Sequence, residues 1–185
     1  FSTGNLTYSV TDSKWALYGN QYDHASGYDA SLISLFCWGY NETNSINPAD
    51  QTTNSSFNDW GNADAVKGDI GSGWRTLTKE EWTFLLENRT MTNSSKPRYT
   101  NKSGGVAIGG ITYKGLFVYP DDYNSAEVGS GSGPSTWEAI NDAGIVFLPC
   151  AGYRDGTAVE LVGTHGLYWS STAYGSIFAY GLYFY

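Results

Sequence analysis

Apolar and polar positions alternate most plainly near the end of the chain. Three runs there read as strands: 145–149 (IVFLP), 166–171 (GLYWSS) and 179–185 (AYGLYFY). Aromatic and β-branched residues dominate them, glycines punctuate them, and helix formers are sparse. A strand this apolar must tuck into a sheet, because left bare it is an edge prone to aggregation. The pattern predicts a terminal sheet built from these runs. Upstream, residues 1–10 and 13–18 predict two strands joined by a hairpin through Thr11-Asp12-Ser13. Residues 31–36 predict a short helix or a turn. Residues 111–119 alternate as a strand that Pro120 stops. The stretches 40–73 and 90–105, rich in polar residues and glycine, predict loops.

Two segments carry a helical period instead. In 78–89, Trp82, Leu85 and Leu86 recur on one face, and Thr78 with Glu81 forms a capping box. Acidic residues open this segment and Arg89 closes it, which suits the helix dipole. Trp74, just ahead, is expected to anchor the helix to the sheet. In 135–143, Ser135 and Glu138 repeat the box, Trp137 and Ile140 point inward, and Gly144 supplies a left-handed cap. Residues 121–134, with GSGSGP at their end, predict a flexible loop. Together these elements predict one α+β domain over 1–185, two short helices packed on a twisted, mostly antiparallel sheet with long loops.

Charge narrows the partners. The formal net charge of -8 without a basic run argues against nucleic acid and anionic membranes. No apolar stretch is long enough to span a bilayer, and nothing resembles a signal peptide, so membrane insertion by this chain is not expected. Aromatic residues make up 16% of the chain and charged residues only 15%, a balance that resembles binding surfaces built from rigid amphipathic rings. The two cysteines, Cys37 and Cys150, lie in apolar settings and read as buried thiols, with a disulfide open only if the fold brings their Cα atoms within about 7 Å.

Candidate chemistry is sparse. Only His24 and His165 could serve as imidazole bases, and strand alternation sends Ser170 and Ser171 to opposite faces, so no nucleophile is expected. The pair Glu80-Glu81 reads as a helix start. Asp121-Asp122 and the group Asp59, Asp64 and Asp69 leave calcium open as a cofactor, although their spacing matches no calcium loop; otherwise none is expected. Asn-x-Ser/Thr triplets begin at Asn5, Asn41, Asn54, Asn88, Asn93 and Asn101. In so Asn- and Ser-rich a chain they arise by chance, and no glycans are expected.

Several segments carry a resemblance in order: FSTGNLTYS (1–9), LFCWGY (35–40), GWRTLTKEEW (73–82), LPCAGYRDGT (148–157), VG (162–163), YWSSTAY (168–174) and AYGLYF (179–184). They resemble the variable proteins of diversity-generating retroelements and the related Fibrobacter succinogenes major paralogous domain. The resemblance implies a C-type-lectin-like fold and a non-enzymatic binding module, receptor- or adhesin-like, on a bacterial surface or a phage tail tip. Its partner would be a protein or glycan on another cell or virion. Retroelement diversification replaces adenines, chiefly in asparagine codons, so variable positions must hold residues reachable from those codons. In 153–185 the positions that qualify are Asp155, Ala158, His165, Leu167, Tyr174, Gly175, Ser176, Ile177, Phe178, Gly181, Tyr183 and Tyr185. Glu160 does not fit. Trp169, Tyr180, Leu182 and Phe184 are expected as the fixed framework beneath them. The alternatives are an undiversified surface module with a fixed ligand, or an enzyme of the formylglycine-generating type. Cys37 and Cys150 do not match the cysteine pattern of that enzyme.

Overall fold

The structure, a computed structural model, describes residues 1–41, 57–176 and 178–185. The expectations placed on 42–56, Asn54 included, and on Ile177 lie outside the described residues. Within them the chain is α+β, with short helices and small, almost wholly antiparallel sheets.

Strands β1 (Leu6–Ser9), β2 (Lys14–Leu17) and β3 (Leu32–Ile33) form the first sheet in the order β2-β1-β3. The predicted hairpin is present, with Ser9 opposite Lys14. The first strand is shorter than 1–10, and the expected helix or turn at 31–36 is instead a two-residue strand paired with β1. Helix α1 (Asp64–Ile70) covers this sheet, so that part of the predicted 40–73 loop is helical. Tyr8, Trp15, Ile33, Ala63 and Val66 form the core between them. Asp69 fixes the packing by accepting from the Trp15 backbone at 2.8 Å.

Strands β4 (Tyr99–Ile108) and β5 (Ile111–Val118) form a hairpin, and β6 (Val146–Pro149) pairs with the other edge of β5. The turn residues Gly109 and Gly110 both have positive φ, as a two-residue hairpin turn requires. β4 was expected as loop up to 105. Its polar residues and glycines are tolerated because it lies at the sheet edge. β5 is the central strand, and its second half, 115–118, is buried on both sides. Phe117 stacks on Phe147 beneath helix α3 (Trp137–Asp142), while Leu116 and Val118 face a separate core with Leu148, Cys150 and Phe184. The cap of α3 is Thr136, whose hydroxyl accepts from Ala139, and not Ser135.

Helix α2 (Lys79–Thr83) has the predicted capping box and continues as a π turn over Phe84–Asn88. The Arg89 amide reaches back to the Phe84 carbonyl at 2.9 Å, which ends the helix and delivers Arg89 to the interior. Trp82 and Leu86 pack against the core that holds Phe184. Trp74 does not anchor this helix. It is partly exposed and donates to Ile70 at the end of α1.

Glu81 closes the box by accepting from the Thr78 amide at 2.9 Å, and Arg75 grips its carboxylate with both guanidinium nitrogens. The Arg75 guanidinium first, and the Thr78 amide second, hold the Glu81 carboxyl down at about 2, against an ordinary 4.5. A depressed carboxyl contributes stability above its unfolded value and loses it as pH falls. Between pH 4.5 and about 2 the first turn of α2 is therefore expected to loosen. The protection of the Glu81 and Trp82 amides, measured against the intrinsic exchange rate at each pH, should fall across that window, and Glu81→Gln should abolish that pH dependence.

Candidate functional site

The C-terminal hairpin consists of β9 (Gly166–Tyr174) and β10 (Phe178–Phe184). It stands apart from the other sheets, so the expected terminal sheet of three runs divides: β6 belongs with β5 and only the last two runs pair. Gly166 lies opposite Phe184, Leu167 opposite Tyr183, Tyr168 opposite Leu182, and Trp169 opposite Gly181. Beyond that, residues 170–172 of β9 bulge opposite Tyr180 alone, before Ala173 meets Ala179 and Tyr174 meets Phe178.

Strand alternation gives the hairpin two sides. The inner side is Tyr168, Leu182 and Phe184. Phe184 is buried, Tyr168 stacks on it with ring centroids 6.0 Å apart, and the Tyr168 hydroxyl donates to the Pro149 carbonyl at 2.8 Å. Burial pushes that phenol's pKa up. Gly166 makes room for this packing, since a Cβ there would fall 2.1 Å from the Phe184 ring.

The outer side is Leu167, Trp169, Gly181, Tyr183 and Tyr185, all exposed, with half-buried His165 beside them. His165, Tyr183 and Tyr185 form a ring cluster with centroids 5.6 to 5.9 Å apart. The Thr164 hydroxyl lies 2.9 Å from His165 Nδ1, and the backbone of His165 bonds Leu161 and Gly152, so the imidazole is well seated. No Asp, Glu, Lys or Arg occurs anywhere in 166–185.

Trp169 departs from the framework role assigned to it. It is 48% exposed, although its indole N–H donates to the Phe36 carbonyl at 3.2 Å. Alternation with Leu167 was the available signal, and the general preference of tryptophan for cores concealed it. Its neighbour Ser170 is fully buried. Ser170 Oγ accepts from the Thr172 amide, while its carbonyl accepts from the Trp38 indole at 2.8 Å, which pins the bulge. The start of α2 docks on the same bulge through Ser171 to Leu77 and Lys79 to Thr172.

The remaining expected positions divide into two groups. Tyr174 and Phe178 pair at the tip and are exposed, with Gly175 and Ser176 in the turn between them. Alternation along β10 places Phe178 with Tyr180 on the side of Leu182 and Phe184, not on the outer side. Tyr174 packs edge-on against Tyr180 at 5.1 Å, and the Lys79 ammonium lies 4.1 Å from the centroid of the Tyr180 ring. Tyr180 is thus half-buried between the helix and the tip. Asp155 and Ala158 face each other, exposed, on the separate hairpin of β7 (Tyr153–Asp155) and β8 (Ala158–Glu160). A bridge from Gly152 to Gly166 ties that hairpin to β9, and Arg154 clamps it by donating to Ser34 and Gly156. The structure therefore brings together His165, Leu167, Gly181, Tyr183 and Tyr185, and adds Trp169 to them.

The side chains considered for chemistry are engaged elsewhere. Cys150 is buried, and desolvation pushes its thiol up. Cys37 is half-buried, not buried as expected. Both stand as thiols. Asp59 caps the turn at Gly61 and accepts from Thr76, Asp64 pairs with Lys67, and Asp121 pairs with Arg89. Among the described residues no three of His, Cys, Asp and Glu gather as a metal-holding group. Small hollows of about 10 and 30 Å³ lie beside Arg154 and beside Phe1, and no residue of β9 or β10 lines either one. Comparison of the chain with protein-family models, with curated proteins and with solved structures found no match.

Proposed function

We propose that this chain is a non-enzymatic binding module whose C-terminal hairpin recognises a protein or glycan displayed on another surface. The observation that carries this reading is the outer side of β9 and β10. Leu167, Trp169, Tyr183 and Tyr185 stand exposed on a strand pair whose opposite side is anchored by buried Phe184. Aromatic rings in a stretch without a charged residue match the make-up of the central part of an interface. An ordered backbone beneath them limits the entropy lost on binding. The hairpin is also the stretch in which the resemblance to retroelement variable proteins places the variable residues. That resemblance supports a C-type-lectin-like fold and a place on a phage tail tip or a bacterial surface. The α+β architecture with antiparallel sheets is compatible with it.

Sequencing the 3′ end of the gene and its flank across a natural population tests the reading. A near-copy of the end that differs at adenines, with variants concentrated in codons 155–185, is the expected result. An invariant end with no such copy would remove the diversified reading and leave a module with a fixed ligand.

A further inference from the structure

Among the described residues β10 is an edge strand, and its own sequence holds nothing that keeps it single. It runs from Phe178 to Phe184, and among the described residues its only strand partner is β9. Proteins ordinarily protect such an edge with a lysine, a proline, a bulge or a very short strand. β10 has no charged residue and no proline, and the bulge of this hairpin lies in β9. Beside its end, Asn101 Nδ2 donates to the Tyr185 carbonyl at 2.8 Å.

The sequence of the edge fits its own copy. In a two-fold pairing, residues at the axis meet themselves, so a charge there meets a like charge. The stretch 166–185 carries none, in a chain of net charge -8. An antiparallel register centred on Gly181 sets glycine against glycine at the axis, where the backbones approach. The same register sets Ala179 against Tyr183, small against large, and Tyr180 against Leu182. It also preserves the two sides, because outer residues meet outer residues and inner residues meet inner ones.

We propose that β10 pairs antiparallel with the β10 of a second copy about Gly181, making one sheet of four strands. The outer side chains of both copies, Leu167, Trp169, Tyr183 and Tyr185, then lie on a single continuous surface. Two binding faces presented together gain avidity without new contacts. The pairing uses the edge of the hairpin and not its face, so it stands or falls separately from the reading given above.

Sedimentation equilibrium on the chain over roughly 1 to 200 µM tests the association, because a self-association constant shows itself as a concentration dependence. A dimer is expected. Repulsion between two acidic copies is screened by salt, so its dissociation constant should fall at least about threefold between roughly 20 and 500 mM NaCl. Hydrogen exchange should show alternate amides of β10 slowing as concentration rises. Gly181→Lys sets two charges at the axis, with its Cβ 3.0 Å from the Tyr168 carbonyl, and Tyr183→Lys, at a site 54% exposed, places a charge on the edge. Each should weaken the dimer at least about tenfold, by the usual effect of edge lysines, while the circular dichroism of the fold persists. A chain that sediments as a monomer throughout overturns the proposal. So does a dimer in which β10 amides exchange as fast as in dilute solution, or one that both lysine variants leave intact.

Discussion

Phe117→Ala is expected to destabilise the fold by about 4 kcal/mol, by loss of burial and by the cavity left behind. For a chain of this size that corresponds to a fall in Tm of roughly 8–16 °C. Phe117 has no exposed surface, and its ring stacks on Phe147 with centroids 4.5 Å apart and an interplanar angle of 23°. Ile140 of α3, Tyr119 and Val128 belong to the same cluster, and each of them is fully buried. The void would therefore be walled by residues already packed from every side, with little freedom to collapse into it. Phe117→Leu keeps most of the volume and should cost about a third as much. Thermal unfolding followed by circular dichroism reads both, and a shift under about 3 °C for the alanine variant would mean the cluster can repack.

Arg89→Ala ranks second, at about 3 kcal/mol. The Arg89 side chain is almost wholly buried and serves three acceptors: the Leu85 carbonyl at 2.7 Å, the Arg98 carbonyl at 2.6 Å and Asp121 Oδ1 at 3.0 Å. The carbonyls matter more than the carboxylate. Asp121 is 61% exposed and water can replace the guanidinium there, whereas the two carbonyls lose their donors where the side chain was buried. Asp121→Asn should accordingly cost about 1 kcal/mol or less. Arg89→Lys should not restore stability, because one ammonium cannot span three directions as the planar fork does. Urea unfolding of the three variants orders them. Equal losses for Arg89→Ala and Asp121→Asn would shift the weight to the ion pair.

Much of this architecture is legible in the chain wherever a single local rule operates. The box of Thr78 and Glu81, the first hairpin, the left-handed Gly144 and the strands 111–119 and 166–171 each declare themselves within a few residues. What is concealed depends on partners distant in sequence. β4 reads as loop because Asn101 and Lys102 make a poor strand alone and Ser103, Gly104 and Gly105 bulge opposite Lys114; pairing along β5 on both sides of the bulge makes it a strand. Helix α1 is hidden by Gly68 and weak flanking residues, and the helix forms because Val66 is buried under Trp15 and Tyr8. β3 has two residues and exists only through β1. In the candidate site, alternation correctly turns Leu167, Gly181, Tyr183 and Tyr185 outward. At the tip the expected turn residues Tyr174 and Phe178 are paired strand residues, and alternation puts Phe178 on the side of Leu182 and Phe184, not on the outer side. Residue type misleads at Trp169, where a large aromatic spends half its surface on solvent and uses its N–H to stay in place.

The close contacts at two glycines decide which parts of the hairpin are free to differ. A Cβ at Gly166 would fall 2.1 Å from the Phe184 ring, and one at Gly152 would meet the Glu160 carbonyl at 2.1 Å. Any other residue at either place would lift the hairpin off its support. Leu167, Tyr183 and Tyr185 spend much of their surface on solvent instead. Two missing side chains hold the backbone in place, and the rings above it can be exchanged without disturbing what lies beneath.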